Sequence, residues 1–237
     1  MRLSGQIALV TGAGRGIGRA IAHSLASEGA QVVLVSRTLS ELERVQKEIK
    51  SAGGIADVIS SDITKAQEIG KLFAEIKSRF GRLDILINNA GIGKFVSVKE
   101  LKVEDFDAMW NLNMRGLFLC TQQAIPFMES QKSGIIVNIS SLAGKNAFVN
   151  GAGYAATKWA LMGFSKCLLL EERQYNIRVV TVCPGSVDTA FSAHEDGSNR
   201  KDKILSPQDV AETVLSAILM PARAMVSEID IRPTNPK

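Results

Sequence analysis

A tyrosine and a lysine four residues apart, Tyr154 and Lys158, have the side chains and the spacing to move a proton. On a helix, positions i and i+4 lie on one face, so the phenol and the ammonium group would be neighbours. A free tyrosine has a pKa of about 10, and a nearby cation favours the phenolate. The pair could therefore exchange a proton with an alcohol or a carbonyl near neutral pH. Many helices contain these two residues by chance, so the pair alone is far more typical of ordinary surface or half-buried side chains.

Ser141 could act on the same substrate atom as the tyrosine. It comes just after the apolar segment Ile135 to Ile139, which is typical of a buried strand. A hydroxyl group beyond the end of that strand could donate a hydrogen bond to an oxygen on which negative charge develops.

A glycine-rich turn near the N-terminus predicts a phosphate-binding site. The apolar strand Ile7 to Val10 precedes it, and helical spacing from Ile17 to Leu25 follows it. Glycines let the backbone approach a pyrophosphate closely, while the N–H groups that open the helix face the anion. The turn also suits other α/β proteins, because its pattern differs from G-x-G-x-x-G. Its glycines are Gly12, Gly14, Gly16 and Gly18.

Strands and helices must alternate along the chain to position these residues. Apolar runs predict strands at 7–10, 32–35, 55–60, 83–87, 135–139 and 177–183. Helical spacing is found at 17–25, 42–49 after an N-cap at Ser40, 65–79, 103–128, 153–173 and 207–218. This alternation predicts one α/β domain over residues 1–237, with a Rossmann-like, doubly wound, mostly parallel seven-stranded sheet and helices on both faces. Ligands of such sheets bind beyond the carboxyl ends of the strands.

The end of the second strand bears on which dinucleotide is bound. A carboxylate there binds the free 2′-hydroxyl group of NAD, whereas a neutral residue beside an arginine suits the 2′-phosphate of NADP. The sequence has Ser36 followed by Arg37, and Arg15 in the glycine turn could supply a second cation. Each arginine alone is also typical of a solvated surface, but the two together, with no acid at that position, favour NADP.

Asp62, after the third strand, has two interpretations that the sequence leaves open. Its carboxylate could accept a hydrogen bond from the adenine amino group of the cofactor, or it could cap the helix that starts near Lys65.

Composition excludes several classes of protein. With 46% hydrophobic and 22% charged residues the chain is ordinary for a globular protein, and its net charge of +4 is spread along the sequence. No basic stripe or aromatic platform indicates nucleic-acid binding, and no apolar run is long enough to span a membrane. The first strand starts almost at once, without a signal peptide, so we expect a cytoplasmic protein. We expect no metal site, and buried, reduced thiols at Cys120, Cys167 and Cys183.

These motifs together resemble the short-chain dehydrogenase/reductase family, in its compact single-domain branch. The features that match, in family order, are Thr11-Gly12-x-x-x-Gly16-Ile17-Gly18, Asn88-Asn89-Ala90-Gly91, Asn113, Ser141, Tyr154-x-x-x-Lys158, and Pro184-Gly185 with Thr189. They span most of the chain, and their combination is far more specific than any one of them.

The resemblance implies a role for each matching residue. Tyr154 would be the general acid in carbonyl reduction, Lys158 would lower its pKa and hold the nicotinamide ribose, and Ser141 would polarise the substrate oxygen. Asn113 would anchor a water that links Lys158 to solvent. The predicted cofactor-binding residues are Gly12, Arg15, Gly16, Ile17, Gly18, Ser36, Arg37, Asp62, Ile63, Asn89, Ala90, Gly91, Tyr154, Lys158, Pro184, Gly185, Val187 and Thr189.

The leading hypothesis is an NADP(H)-dependent oxidoreductase that interconverts a ketone or aldehyde with an alcohol. A narrower alternative is a 3-oxoacyl-thioester reductase, and an alternative of another class is a catalytically silent dinucleotide sensor. Substrate specificity is expected in Lys145 to Gly151 and in a short loop after Thr189, where His194 could touch substrate but is also typical of a solvated loop. The resemblance implies a homodimer or homotetramer.

Overall fold

Strands and helices alternate in the computed structural model, which describes residues 1–192 and 204–235. The strands are β1 (Ile7–Thr11), β2 (Gln31–Ser36), β3 (Ile55–Ser60), β4 (Ile85–Asn88), β5 (Gly134–Ile139), β6 (Ile177–Pro184) and β7 (Glu228–Ile231). The α-helices are α1 (Gly16–Ser27), α2 (Leu39–Ser51), α3 (Ala66–Phe80), α4 (Val103–Trp110), α5 (Leu117–Gln131), α6 (Ala152–Glu172) and α7 (Pro207–Ile218).

The strands form one sheet in the order β3-β2-β1-β4-β5-β6-β7. Every neighbouring pair is parallel, so the predicted doubly wound sheet is confirmed and is parallel throughout its described strands. The chain builds outward from β1 in one direction and then returns to build outward from β4 in the other. Crevices open at such a reversal of strand order, beyond the carboxyl ends of the strands.

Two apolar cores cover the two faces of the sheet. On one face, α1, α2 and α7 contribute side chains such as Ile21, Leu42 and Val214. On the other face, α3, α5 and α6 contribute side chains such as Leu72 and Leu168. Because both faces are buried, the central strands read as continuous apolar runs in the sequence.

The predicted helix over 103–128 is wrong in its middle. Residues Asn111–Gly116 form a π-helical segment between α4 and α5, and α5 continues through Pro126. The Asn113 side chain accepts a hydrogen bond from the backbone N–H of Ile92 (2.9 Å) and donates one to the Ile92 carbonyl (2.9 Å). These two bonds hold the Asn113 side chain against the backbone of Ile92. A long helix accommodates such a local contact by widening one turn into a π-helical segment.

Two smaller predictions are also corrected. Ser40 is not the N-cap of α2, because Thr38 holds the extended cap backbone and Ser40 already lies inside the first turn. Cys120 and Cys183 are buried, but Cys167 is exposed because it lies off the inward stripe of α6 that Ser165 and Leu168 mark.

Neither a membrane span nor a metal cluster is found in the described ranges. No helix within 1–192 and 204–235 has the length and apolar character to cross a membrane. Within the same ranges, no three His, Cys, Asp or Glu side chains come together in a way that could hold a metal ion.

Candidate active site

A cleft of about 1670 Å³ runs along the carboxyl ends of the strands. This volume exceeds that of most single-ligand pockets, so it has room for a dinucleotide and a substrate together. The structure brings most of the predicted site residues to its walls; Gly18 and Asn113 lie behind them. The lining includes Gly12, Arg15, Gly16, Ile17, Ser36, Arg37, Asp62, Ile63, Asn89, Ala90, Gly91, Ser141, Tyr154, Lys158, Pro184, Gly185, Val187 and Thr189.

The glycine turn is packed too tightly for side chains. Gly12 and Gly16 have φ angles of 65° and 53°, in the left-handed region that favours glycine. A Cβ atom on Gly18 would lie 2.3 Å from the Gly12 carbonyl oxygen, so the helix could not start where it does. The Asn89 amide donates to the Thr11 carbonyl at 2.9 Å and thereby ties the turn to the end of β4. The first N–H groups of α1 are thus presented to the cleft as an anion site.

Replacement of Gly18 with alanine is expected to lower the free energy of unfolding by about 1–3 kcal/mol, because the backbone must move to admit the Cβ. The same shift should weaken binding of NADPH. Gly70 is the matched control, since a Cβ there meets nothing within 4 Å and glycine inside a helix is unfavourable. Thermal denaturation and NADPH titration of both variants test this, and equal behaviour of the two would contradict the packing argument.

An acid that the sequence analysis missed lies among the cations at the end of β2. Ser36, Arg37 and Arg15 line the cleft as predicted, and Glu41 lines it with them. A Cβ on Gly14 would lie 2.8 Å from a Glu41 carboxylate oxygen and 3.5 Å from the Ser36 hydroxyl. The strand-end residue itself is Ser36, as in the prediction, and Glu41 is an acid beside it that the prediction did not include. Glu41 could have been predicted from the sequence, because it lies in the first turn of α2, the helix that starts just after β2.

Asp62 is not the cap of the helix that follows it. One carboxylate oxygen accepts hydrogen bonds from the Thr64 backbone N–H (3.0 Å) and hydroxyl (2.7 Å), whereas α3 begins after Lys65 without a side-chain cap. Burial raises the pKa of this carboxyl, but the Thr64 hydrogen bonds and the Arg37 charge outweigh burial and hold the pKa below its ordinary value. Asp62 is thus an ionised acceptor in the cleft wall.

The predicted catalytic side chains meet at the carboxyl end of β5. Tyr154 and Lys158 lie one turn apart on α6 and both line the cleft, with Tyr154 only 8% exposed. The Lys158 Nζ atom donates to the Ile139 carbonyl at 2.9 Å and lies 5.7 Å from the centroid of the Tyr154 ring. Ser141 begins a short turn in which its Oγ atom accepts from the Ala143 N–H at 3.1 Å. This bond orients the hydroxyl oxygen and leaves its hydrogen for a second partner, the Tyr154 oxygen or a substrate.

Burial controls the protonation of this pair. It raises the pKa of Tyr154 to about 12, against the effect of a hydrogen bond from Ser141. It lowers the pKa of Lys158 to about 8, because a buried ammonium is poorly solvated. The pKa of Tyr154 is thus raised, opposite to the lowering predicted from Lys158. The phenol keeps its proton at neutral pH, which is the form that donates to a carbonyl oxygen.

Asn113 braces the helix that carries the pair. Its amide donates to the Thr157 hydroxyl at 3.0 Å, and that hydroxyl donates to the Tyr154 carbonyl at 2.8 Å. With its bonds to Ile92, the side chain links the π-helical segment, the loop after β4 and the first turns of α6. Its predicted role as the anchor of a water relay stays a prediction.

The substrate end of the cleft has features that the sequence analysis did not name. Phe95, Phe148 and Phe191 line it, from the loops after β4, β5 and β6. Lys145, expected to help set specificity, instead pairs with Glu228 and Asp230 of β7, outside the cleft. His194 lies outside the described residues.

Comparison with known proteins agrees with this geometry. The sequence pattern described as short chain dehydrogenase matches residues 6–199. The chain belongs to this family. A sepiapterin reductase of Chlorobaculum tepidum is 37% identical over 236 residues, with 97% of this chain and 96% of the relative covered. An uncharacterized oxidoreductase of Staphylococcus aureus strain MW2 is 38% identical, with 98% of each chain covered.

Two solved structures superpose on nearly the whole chain. A metagenomic short-chain oxidoreductase in complex with NADP has a TM-score of 0.88, 38% identity and 99% coverage of both chains. An alcohol dehydrogenase of the archaeon Thermococcus sibiricus, complexed with 5-hydroxy-NADP, has a TM-score of 0.90, 29% identity and 97% coverage of both chains. As a short-chain dehydrogenase the protein is an oxidoreductase.

Proposed function

We propose that the protein is an NADP(H)-dependent oxidoreductase that interconverts a ketone or aldehyde with an alcohol, with Tyr154 as the general acid and base. The observation that carries the proposal is one continuous cleft with a glycine turn and two arginines at one end and Ser141, Tyr154 and Lys158 at the other.

The choice of NADP rests on charge and on the neighbours. Arg15 and Arg37 line the cleft beside Ser36, where a 2′-phosphate would lie, and guanidinium groups bind phosphate oxygens in a fork geometry. Both solved structures named above hold NADP or a derivative of it. The glycine turn fits a pyrophosphate, because Gly12, Gly14 and Gly16 line the cleft without side chains beside the first N–H groups of α1.

The chain's own residues perform the proton transfer. NADPH, when bound, supplies the hydride. Ser141 donates a hydrogen bond to the carbonyl oxygen and polarises it, and the protonated Tyr154 phenol gives its proton to the same oxygen as negative charge develops there. The Lys158 ammonium group stabilises the phenolate that remains and binds the ribose of the cofactor. Reprotonation of Tyr154 from solvent, through Lys158 and a water held near Asn113, completes the cycle.

Activity is expected to fall at alkaline pH as Lys158 loses its proton. The pKa of Lys158 is lowered to about 8, so the ammonium form predominates below that pH and is lost above it. The kcat/KM for NADPH, measured at saturating carbonyl substrate, reports the titrating groups of the cofactor-free enzyme. Above the pKa of Lys158 this kcat/KM should decrease, with a limiting slope of about tenfold per pH unit. A Lys158→Ala variant should have a low kcat/KM at every pH and should not show this decrease. A wild-type profile that stays flat to pH 10 would contradict the role of Lys158.

The first experiment is titration of the protein with NADPH and NADH, followed by turnover measurements with a panel of carbonyl compounds. Tighter binding of NADPH and oxidation of NADPH by at least one ketone or aldehyde are expected. Tight binding without turnover would favour the dinucleotide sensor instead. Failure to bind either nucleotide would overturn the proposal.

Two narrower substrates belong in that panel. Sepiapterin is included because a relative that is 37% identical carries the name sepiapterin reductase. A 3-oxoacyl thioester tests the alternative that differs in substrate and not in chemistry.

Self-association and cytoplasmic location also stay proposals. Exposed apolar side chains on α4 and α6, among them Val103 and Trp159, suit helix packing in a homodimer or homotetramer. Size-exclusion chromatography with light scattering measures the mass in solution.

A further inference from the structure

Three phenylalanines surround the reactive phenol, and we call them the phenylalanine wall: Phe95, Phe148 and Phe191. The ring of Phe95 lies edge-on to the Tyr154 ring at 5.5 Å, and the ring of Phe191 lies 5.6 Å from it. Phe95 also contacts the other two members of the wall, at 5.9 and 6.0 Å between centroids. Side chains from three separate loops therefore form one aromatic surface, and two of its members contact the Tyr154 ring directly.

The wall is buried on one side and open on the other. Its members are 43%, 46% and 43% exposed, whereas Tyr154 is 8% exposed. Large apolar side chains left open inside a cleft are typical of a binding surface. The open ring surfaces face the space that a substrate must enter to reach Tyr154, because all three residues line the same cleft as the phenol.

Two glycines hold the wall in place from behind. A Cβ on Gly93 would lie 2.8 Å from ring atoms of both Phe95 and Phe191. A Cβ on Gly151 would lie 2.3 Å from the Phe148 ring. The rings thus pack against bare backbone, which fixes their planes and leaves the opposite side free.

The geometry of the rings selects the shape of their ligand. The planes of the contacting rings are inclined to one another by 51–80°. The phenylalanine wall is therefore not flat, and it presents both ring faces and ring edges next to Tyr154. Aromatic rings prefer offset-stacked and edge-to-face contacts with other aromatic rings. A flat ring can meet several members of the wall in this way, whereas a saturated ring is thicker and has no π face.

We propose that the physiological substrate carries its carbonyl group on or next to a planar aromatic ring, which the phenylalanine wall recognises. This inference rests on the proposed function. In the reduction, the carbonyl carbon receives hydride from NADPH, the π electrons of the C=O bond move to oxygen, and that oxygen takes the proton of Tyr154. The products are an aryl-substituted alcohol and NADP⁺.

The test compares acetophenone with 1-cyclohexylethanone, which has the same carbon skeleton without the aromatic ring. The quantity measured is the ratio of kcat/KM for the aromatic to the saturated ketone, in the wild type and in Phe95→Leu and Phe191→Leu. This ratio should fall about fivefold in each variant, mainly through KM for acetophenone, because the variants retain apolar volume but lose ring contacts. Phe118→Leu is the control: Phe118 is also 43% exposed, but its ring packs on Phe164 outside the cleft. Its ratio should stay at the wild-type value.

The outcomes separate this inference from the proposed function. Reduction of carbonyl compounds with a ratio that does not change in the wall variants would overturn aromatic recognition and leave the proposed function intact. Equal loss of kcat for both ketones would also overturn it, because it would mean that the wall only positions Tyr154. Reduction of aliphatic ketones without any reduction of acetophenone would likewise overturn aromatic recognition and leave the proposed function intact. If no carbonyl compound is reduced, the proposed function itself has failed, and the inference fails with it.

Discussion

Tyr154→Phe is expected to abolish measurable turnover while NADPH binding stays close to that of the wild type. The substitution removes only the phenol oxygen, so the ring contacts with Phe95 and Phe191 are retained. Without the phenol, the proton for the carbonyl oxygen must come from water. Loss of a positioned general acid costs about 10²–10⁴-fold in rate. The measurements are steady-state oxidation of NADPH by the best carbonyl substrate, and fluorescence titration with NADPH.

Tyr175→Phe is the matched control for this variant. The chain has two tyrosines, and Tyr175 lies in the short turn after α6, away from the cleft lining. Removal of its hydroxyl group should leave turnover unchanged. A Tyr154→Phe protein that still reduces carbonyl compounds at a rate near that of the wild type would refute Tyr154 as the acid.

The fold was predictable because its signals are local and periodic. A central strand such as β1 or β5 is buried on both faces, so it appears in the sequence as an unbroken apolar run. Glycine is favoured in the turn of Gly12 to Gly18 because Gly12 and Gly16 have left-handed φ angles and a Cβ on Gly18 would meet the Gly12 carbonyl oxygen. Such features are visible without knowing which distant segments meet.

The substrate end was not predictable for the opposite reason. Phe95, Phe148 and Phe191 are separated by roughly fifty residues each, and nothing near any one of them in the sequence indicates that they share a surface. The widened helical turn near Asn113 likewise depends on the backbone of Ile92, which lies 21 residues away. Glu41 is a different case, because its signal lies in the helix turn after β2 and not in the strand-end residue. Contacts between distant segments thus decide the aromatic surface and the widened turn, whereas Glu41 lies close to Ser36 in the sequence.

Arg37→Ala is expected to weaken binding of NADPH by about tenfold, while the affinity for NADH stays within about twofold of its wild-type value. The two cofactors differ only in the 2′-phosphate, so a residue that binds this group alone should affect one and not the other. Arg37 is exposed, which limits the effect because solvent screens the charges. Isothermal titration with each cofactor, at low and at moderate salt, gives the two affinities.

Glu41 provides a second variant whose effect should have the opposite sign. Its carboxylate lies next to Gly14 and Ser36, so it repels a phosphate placed between the two arginines. Glu41→Gln should therefore tighten binding of NADPH and leave NADH nearly unchanged, and Arg173→Ala, an exposed arginine outside the cleft, should affect neither. Equal losses for both cofactors in Arg37→Ala would refute a contact with the 2′-phosphate. Opposite changes in Arg37→Ala and Glu41→Gln, confined to NADPH and reduced by salt, would locate that phosphate between the ends of β2 and the glycine turn.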